Sequence, residues 1–335
     1  MRHTNKLMAL MVGIALAGCG GGEADDGATM EGAGTSPTMG SARINPLVAL
    51  HEAGESQFGL YAPSPGGGRG RNGGPPPPVK DPSERAAEMM AYGMSDYVFD
   101  GSMERGVDDA LPTFTAFKDA MQGAGATART HPMIVKMAKI ESAEQTTRDV
   151  AMQLEAGVSG IMFVEVETAE EAAMGLAAMR YASQGGTRPD ASVGSAPAYW
   201  GVSEDEYRAK ADLWPLNPEG ELISWVIVES HEGLANVREI AAVPGIGVLW
   251  PGAGTLRGLF STTDADGRRV LDEEAWENSI QQVLSACKEF DVPCGFPSNA
   301  ADIEMRMEQG FSVFVMGWGE SGFETVEMGR TLAGR

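Results

Sequence analysis

The sequence predicts an α/β protein built as a single (β/α)8 barrel. Three observations carry that reading. Apolar runs rich in Val, Ile and Phe recur eight times, helical patterns lie between them, and several helical patterns open on start signals. The runs are 57–61, 96–100, 133–137, 160–164, 223–228, 246–250, 292–296 and 312–317. Asp81-Pro82-Ser83-Glu84 places a capping residue before a first-turn proline. Ser142-Ala-Glu-Gln145, Thr168-Ala-Glu-Glu171, Ser203-Glu-Asp-Glu206 and Ser321-Gly-Phe-Glu324 have the spacing of capping boxes, in which side chain and backbone satisfy each other's free groups. An open doubly wound sheet is the competing architecture. A dinucleotide-binding version would need Gly-x-Gly-x-x-Gly directly after a strand, and the glycines at 66–74 do not follow that pattern.

The ends read differently. Residues 1–18 carry Arg2 and Lys6 and then a short apolar run, too short to span a bilayer, closing on Leu16-Ala17-Gly18-Cys19. That is the pattern of a bacterial lipoprotein signal, in which the Cys19 thiol takes the lipid. The expectation is an exported protein, lipid-anchored to the envelope, with the periplasmic side of the outer membrane favoured because Gly20 follows the cysteine. Residues 19–43, rich in Gly, Ala, Asp, Thr and Ser, form a flexible tether that cannot bury a core. The barrel then occupies 44–335, interrupted at 63–80 by a Pro/Gly-rich insertion projecting from its carboxyl face, with Arg69 and Arg71 at its centre.

The net charge of −22 becomes −24 once Arg2 and Lys6 are removed with residues 1–18. So acidic a surface argues against nucleic acid as a partner. Cys287 and Cys294 fall on a predicted helix and the following strand. They are expected as two buried thiols, with a disulfide as the alternative in an exported protein.

The most informative segment runs from Val226 to Leu256. An apolar strand ends in Glu229, a helix of about four turns carries Leu234, Val237, Ile240 and Ala241, and a second strand opens into Pro251-Gly252-Ala253-Gly254. A carboxylate at the carboxyl end of a parallel strand is where a barrel places chemistry. This segment resembles the core of the HpcH/HpaI aldolases, which belong to the citrate lyase-like group. The likeness extends to Asn45–Tyr61, to Gly157–Ala172 with Arg180-Tyr181, and to the last two strands.

That resemblance implies a carbon–carbon lyase acting on 2-oxo-4-hydroxy acids of the pyruvate type. It also implies a divalent metal (Mg, Mn or Co), a small oxo-acid as partner, and a homo-oligomer. It places the metal on Glu229 and on an Asp whose position is held here by Thr255, so the metal site is weakened. It places substrate contacts on Gly252, Ala253 and Thr255, and a carbonyl-binding cation at Lys136, where the family has Arg. The family's general-base His aligns with Arg105, which stays protonated and cannot accept a proton; the neighbouring Glu104 is the other candidate for that role. Ile227 replaces a family Gln.

The alternative function is a non-catalytic envelope lipoprotein that binds an oxo-acid or another ligand in the barrel mouth. Asp264 and Asp266 read as a surface turn. His231 reads as a solvent-facing helix residue. His51 and His131 are expected away from the carboxyl face. Trp250 and Trp318 lie at strand ends, as pocket wall or core.

Overall fold

The structure, a computed structural model, describes residues 43–67 and 74–335. Cys19, the signal segment and most of the tether lie outside the described residues, as do Arg69 and Arg71 of the insertion. Among the described residues no helix is long and apolar enough to cross a membrane.

All eight predicted strands form: β1 Gln57–Tyr61, β2 Val98–Asp100, β3 Met133–Met137, β4 Gly160–Phe163, β6 Leu222–Val228, β7 Val248–Pro251, β10 Gly295–Pro297 and β11 Val313–Met316. A two-residue strand, β5 Leu213–Trp214, pairs beside β6, and β8 Ser261–Thr263 with β9 Arg269–Leu271 makes a separate antiparallel hairpin. The main sheet is wholly parallel and runs β10-β11-β1-β2-β3-β4-β6, with β7 pairing β6. Between β7 and β10 there is no extended ladder. One isolated parallel bridge joins Leu249 to Cys294, and the Leu249 N–H donates to the Pro293 carbonyl at 2.9 Å.

Strand periodicity sorts the side chains. Along β6, Leu222, Val226 and Val228 join the large core shared with the helices, whereas Ile223, Trp225 and Ile227 point to the other face. That second core gathers Tyr97, Phe99, Ile134, Met162 and Trp250 around Trp225, and the helix α1 Pro46–Glu52 adds Leu47 and Val48. The Trp225 ring centroid lies 5.3 Å from Tyr97, 6.0 Å from Phe99 and 5.1 Å from Trp250. Strands distant along the sheet meet at one indole, so the sheet curls around this core. Two glycines make room. A Cβ at Gly59 would fall 2.1 Å from the Tyr97 ring, and one at Gly295 2.2 Å from Trp250.

The start signals act as expected at four helices. Asp81, Ser142, Thr168 and Ser203 accept the N–H groups of Ser83, Gln145, Glu171 and Glu206 respectively. Ser321 does not. The last helix, α13 Glu320–Leu332, begins at Gly319, whose φ of 129° suits glycine, so Ser321 lies inside the helix and its carbonyl accepts from the Thr325 hydroxyl.

The four-turn helix expected after Glu229 is two short ones, α8 His231–Ala235 and α9 Val237–Ala241. Asn236 leaves helical geometry at the break, with φ −101° and ψ 10°, and its Nδ2 donates to the Glu167 carbonyl at 2.8 Å. Cys287 and Cys294 are not free thiols. They form a disulfide between the end of α11 Glu273–Phe290 and the strand edge at β10, with Cα atoms 5.7 Å apart, a separation that allows a bridge without backbone movement. The insertion is pinned at its base, where Lys80 N donates to the Pro65 carbonyl and Gly67 N to that of Pro77.

Candidate active site

Parallel strands end together, so the residues just past them converge. Lys136 near the end of β3, Glu229 just past β6, Pro251 at the end of β7 and Gly252 to Thr255 after it line one cavity of about 230 Å³. Tyr61, Phe99, Met162, Ile227, Trp250, Pro297 and Val315 complete its wall, apolar for the most part with a few polar groups.

Glu229 is buried. Its Oε1 accepts the Glu165 N–H at 3.2 Å, and its carboxylate takes the Thr255 hydroxyl. Burial raises its pKa above the usual glutamate value, opposed by the Thr255 hydrogen bond, the Lys136 charge and the Glu165 N–H. The Gly252 N–H donates to the Val228 carbonyl at 2.9 Å, which fixes the loop directly over Glu229. A Cβ on Gly252 would fall 2.4 Å from both Cβ and Oε2 of Glu229, so glycine is what lets the two segments approach. The segment expected as a Gly-rich loop is in fact the first turn of a short helix, α10 Ala253–Leu259, whose N-cap is Gly252.

Lys136 Nζ donates to Glu104 Oε2 at 3.2 Å. Glu104 lies in a 3-10 turn, Ser102–Arg105, after β2 and lines a second cavity of about 490 Å³. Tyr61 and Phe99 line both cavities, so the two adjoin. Desolvation, then the carboxylates of Glu104 and Asp100, push the Tyr61 phenol up to about 12, so it keeps its proton at neutral pH. Arg85, buried against the Phe117 ring, donates from Nε to the Pro63 carbonyl at 2.7 Å and reaches Asp100 at 3.9 Å. The base of the insertion, at Pro63 to Pro65, and Trp318 also line the second cavity.

The structure thus brings together Lys136, Glu229, Gly252, Ala253 and Thr255, with Glu104 alongside. It does not bring in Arg105, whose exposed side chain lines neither cavity. The 3-10 turn turns Glu104 toward Lys136 while the next residue points away. Asp264 and Asp266 sit in the turn of the β8–β9 hairpin, where Asp264 Oδ1 accepts the Asp266 and Arg268 N–H groups. His231 is exposed and meets the edge of Phe260. Tyr61 and Arg85 escaped the sequence reading. Tyr61 had a signal, as the last residue of a predicted strand. Arg85 sits on a helix, α2 Pro82–Ala91, where no strand end or motif marked it.

Among the described residues no three His, Cys, Asp or Glu side chains converge as a metal site. The wall of the cavity carries one carboxylate, Glu229. A hard cation that keeps its waters and takes oxygens from substrate needs only one or two. A desolvated carboxylate with no cation in hydrogen-bond contact fits that minimal role.

A curled parallel sheet with a buried carboxylate, a lysine and a glycine-gated loop at its strand ends defines a class, that of α/β proteins with an enzyme-like site at the carboxyl face. The profile of the HpcH/HpaI aldolase/citrate lyase family matches residues 85–321, and the chain belongs to that family. It is 25% identical over 230 residues to the hydroxypyruvate/pyruvate aldolase of Paraburkholderia phytofirmans, covering 68% of this chain and 80% of that one. It is 27% identical over 163 residues to the 2-dehydro-3,6-dideoxy-6-sulfogluconate aldolase of Pseudomonas putida, covering 48% of this chain and 57% of that one. An HpcH/HpaI family protein of Burkholderia cenocepacia J2315 shares the fold, with a TM-score of 0.61 at 21% identity, covering 86% of this chain and 97% of that one. The family and these named relatives are aldolases and lyases.

Proposed function

We propose that the chain is a carbon–carbon lyase that cleaves a 2-oxo-4-hydroxy acid to a pyruvate-type 2-oxo acid and an aldehyde, and runs the reverse condensation. One observation carries this: Lys136 and Glu229, from strands on opposite sides of β4, line the same small cavity under the Gly252 loop. In cleavage a proton leaves the 4-hydroxyl, the C3–C4 bond breaks, the aldehyde departs, and the enolate takes a proton at C3. The Lys136 ammonium faces the oxygen on which enolate charge develops, and the apolar wall strengthens that attraction. Glu104 touches Lys136 from the adjoining cavity and is the carboxylate placed to accept the hydroxyl proton. Tyr61 holds a proton where the two cavities meet. A divalent ion held by Glu229 beside the Thr255 hydroxyl would supply Lewis-acid polarisation of the two oxo-acid oxygens.

We read the fold as a closed eight-stranded barrel whose seam is the Leu249–Cys294 bridge; that bridge and the interior packing on Trp225 support it. We further propose export and lipid attachment at Cys19. Cys19→Ser should move the protein from the membrane to the soluble fraction, and unchanged fractionation would remove the anchor from the account. A second reading, oxo-acid binding without cleavage, is favoured by one feature: Arg105, at the family's base position, is outside the cavity. Exchange of pyruvate methyl protons with deuterated water separates the two readings, because it needs enolate formation and no aldehyde.

A further inference from the structure

Among the described residues, two that are not glycine have a positive φ: Asp291 at 55° and Glu165 at 48°. Asp291 ends α11, where a left-handed residue is common. Glu165 follows a strand instead, two residues past the end of β4 and in contact with Glu229. The left-handed region is unfavourable for any residue with a Cβ, and glutamate lacks the short polar side chain that eases it for Asn or Asp. Such a conformation persists only where its surroundings impose it, and it gathers at functional sites.

The packing shows what this turn accomplishes. An extended strand sends alternate residues to one face, so Val166 should join Val164. Instead Val164 lies in the core around Trp225, and Val166 in the large core shared with the helices. The left-handed residue between them reverses the alternation. The Val166 N–H takes the Ile227 carbonyl at 3.0 Å, and the Glu165 N–H, outside the sheet ladder, donates to Glu229 Oε1 at 3.2 Å. The Glu165 side chain is carried to the rim, where Lys139 Nζ lies 3.5 Å from its carboxylate and 2.8 Å from that of Glu167. The group that reaches Glu229 is therefore the backbone N–H and not the side chain. The Thr255 hydroxyl holds the same carboxylate from the start of α10. A carboxylate that binds a ligand through one face needs its remaining lone pairs engaged to keep its orientation.

We propose that Glu165 is a positioning residue: its left-handed backbone aims its N–H at Glu229 and sets the orientation in which that carboxylate meets its ligand. That the ligand is a divalent ion rests on the function proposed above; the hold on Glu229 does not.

The test has two arms on the full-length protein, with folding checked by thermal unfolding. In the first, glutamate is labelled with ¹⁵N and amide hydrogen exchange is followed by NMR. The Glu165 amide, assigned by its absence in Glu165→Gly, should be protected in the parent and exchange at least about tenfold faster in Glu229→Ala. Equal protection in the two overturns the hydrogen bond. In the second, Mn²⁺ is titrated and followed by calorimetry. Glu165→Val, whose β-branched side chain resists the left-handed region, should weaken binding about tenfold or more. Glu165→Gly keeps the N–H, accepts the left-handed region and lacks the side chain, so it should restore binding. Val as tight as the parent, or Gly as weak as Val, overturns the positioning role. If Glu165→Val does not fold, Glu165→Gly decides alone: binding near the parent's supports the backbone role, and binding about tenfold weaker assigns the effect to the side chain and overturns it. If the parent binds no Mn²⁺, the metal reading of Glu229 fails while amide exchange still reads the hold on its carboxylate.

Discussion

Gly252→Ala is the sharpest local perturbation the structure offers. The backbone φ of Gly252 is −71°, ordinary for any residue, so the substitution brings no conformational strain of its own. The new methyl would sit 2.4 Å from Cβ and Oε2 of Glu229, where unstrained carbon contacts are about 3.5–4.0 Å. The loop or the carboxylate must therefore retreat by roughly 1 Å. Overpacking of that size costs about 1–3 kcal/mol of stability. A displacement of about 1 Å in a reacting constellation costs about 100-fold in rate. The assay is pyruvate methyl-proton exchange, with thermal unfolding alongside, and Gly123→Ala as the reference, since a Cβ there meets nothing within 4 Å. The expected result is a roughly 100-fold slower exchange in a folded protein. Exchange in Gly252→Ala as fast as in Gly123→Ala would refute the claim that this close approach organises the site.

Three further outcomes are expected. Lys136→Met should slow exchange by about 100-fold or more, because a half-buried charge that the proposal sets against the developing enolate is removed, while Lys136→Arg should recover part of it; steady-state exchange kinetics check this. Breaking the Cys287–Cys294 bridge with serine should lower unfolding free energy by about 2 kcal/mol for so short a loop, measured by denaturant titration with and without reductant. The bidentate Arg306 pair holds the Glu277 carboxyl below its usual value. Its stabilisation is therefore full above the usual glutamate range and is lost as pH falls through the lowered value. Glu277→Gln should cost about 1–3 kcal/mol at pH 7, kept modest because Glu277 is a third exposed, and the gap to the parent should close in acid unfolding curves.

Much of this architecture was legible in the sequence because its signals are local. The strands at 57–61 and 133–137 were bounded correctly by their apolar runs alone, and four helix starts by their caps. Where reading failed, a long-range contact had overruled a local pattern. Asn236 breaks the helix where its side chain reaches the Glu167 carbonyl, a contact no helical periodicity encodes. Cys287 and Cys294 differ from two buried thiols only in where the end of α11 meets β10.

The site shows the same division. Glu229 stood out as a carboxylate ending an apolar run, and Lys136 through its match to a family position within an apolar strand; both line the cavity. Arg105 took its candidate role from alignment with a family position, and the 3-10 turn at Ser102–Arg105 presents Glu104 instead. The approach of Arg269 to the Gly258 carbonyl was invisible to the sequence, because it arises only through the β8–β9 hairpin.

The central claim is that the cavity over Lys136 and Glu229 turns a 2-oxo acid into its enolate. The most direct test follows pyruvate methyl protons by NMR in deuterated water, with the full-length protein, Mg²⁺, Mn²⁺ or Co²⁺ supplied or chelated, and Glu229→Ala in parallel. The account predicts exchange that requires the added ion and vanishes in Glu229→Ala. Exchange that survives in Glu229→Ala, or none from the folded parent protein under any of these conditions, would contradict it.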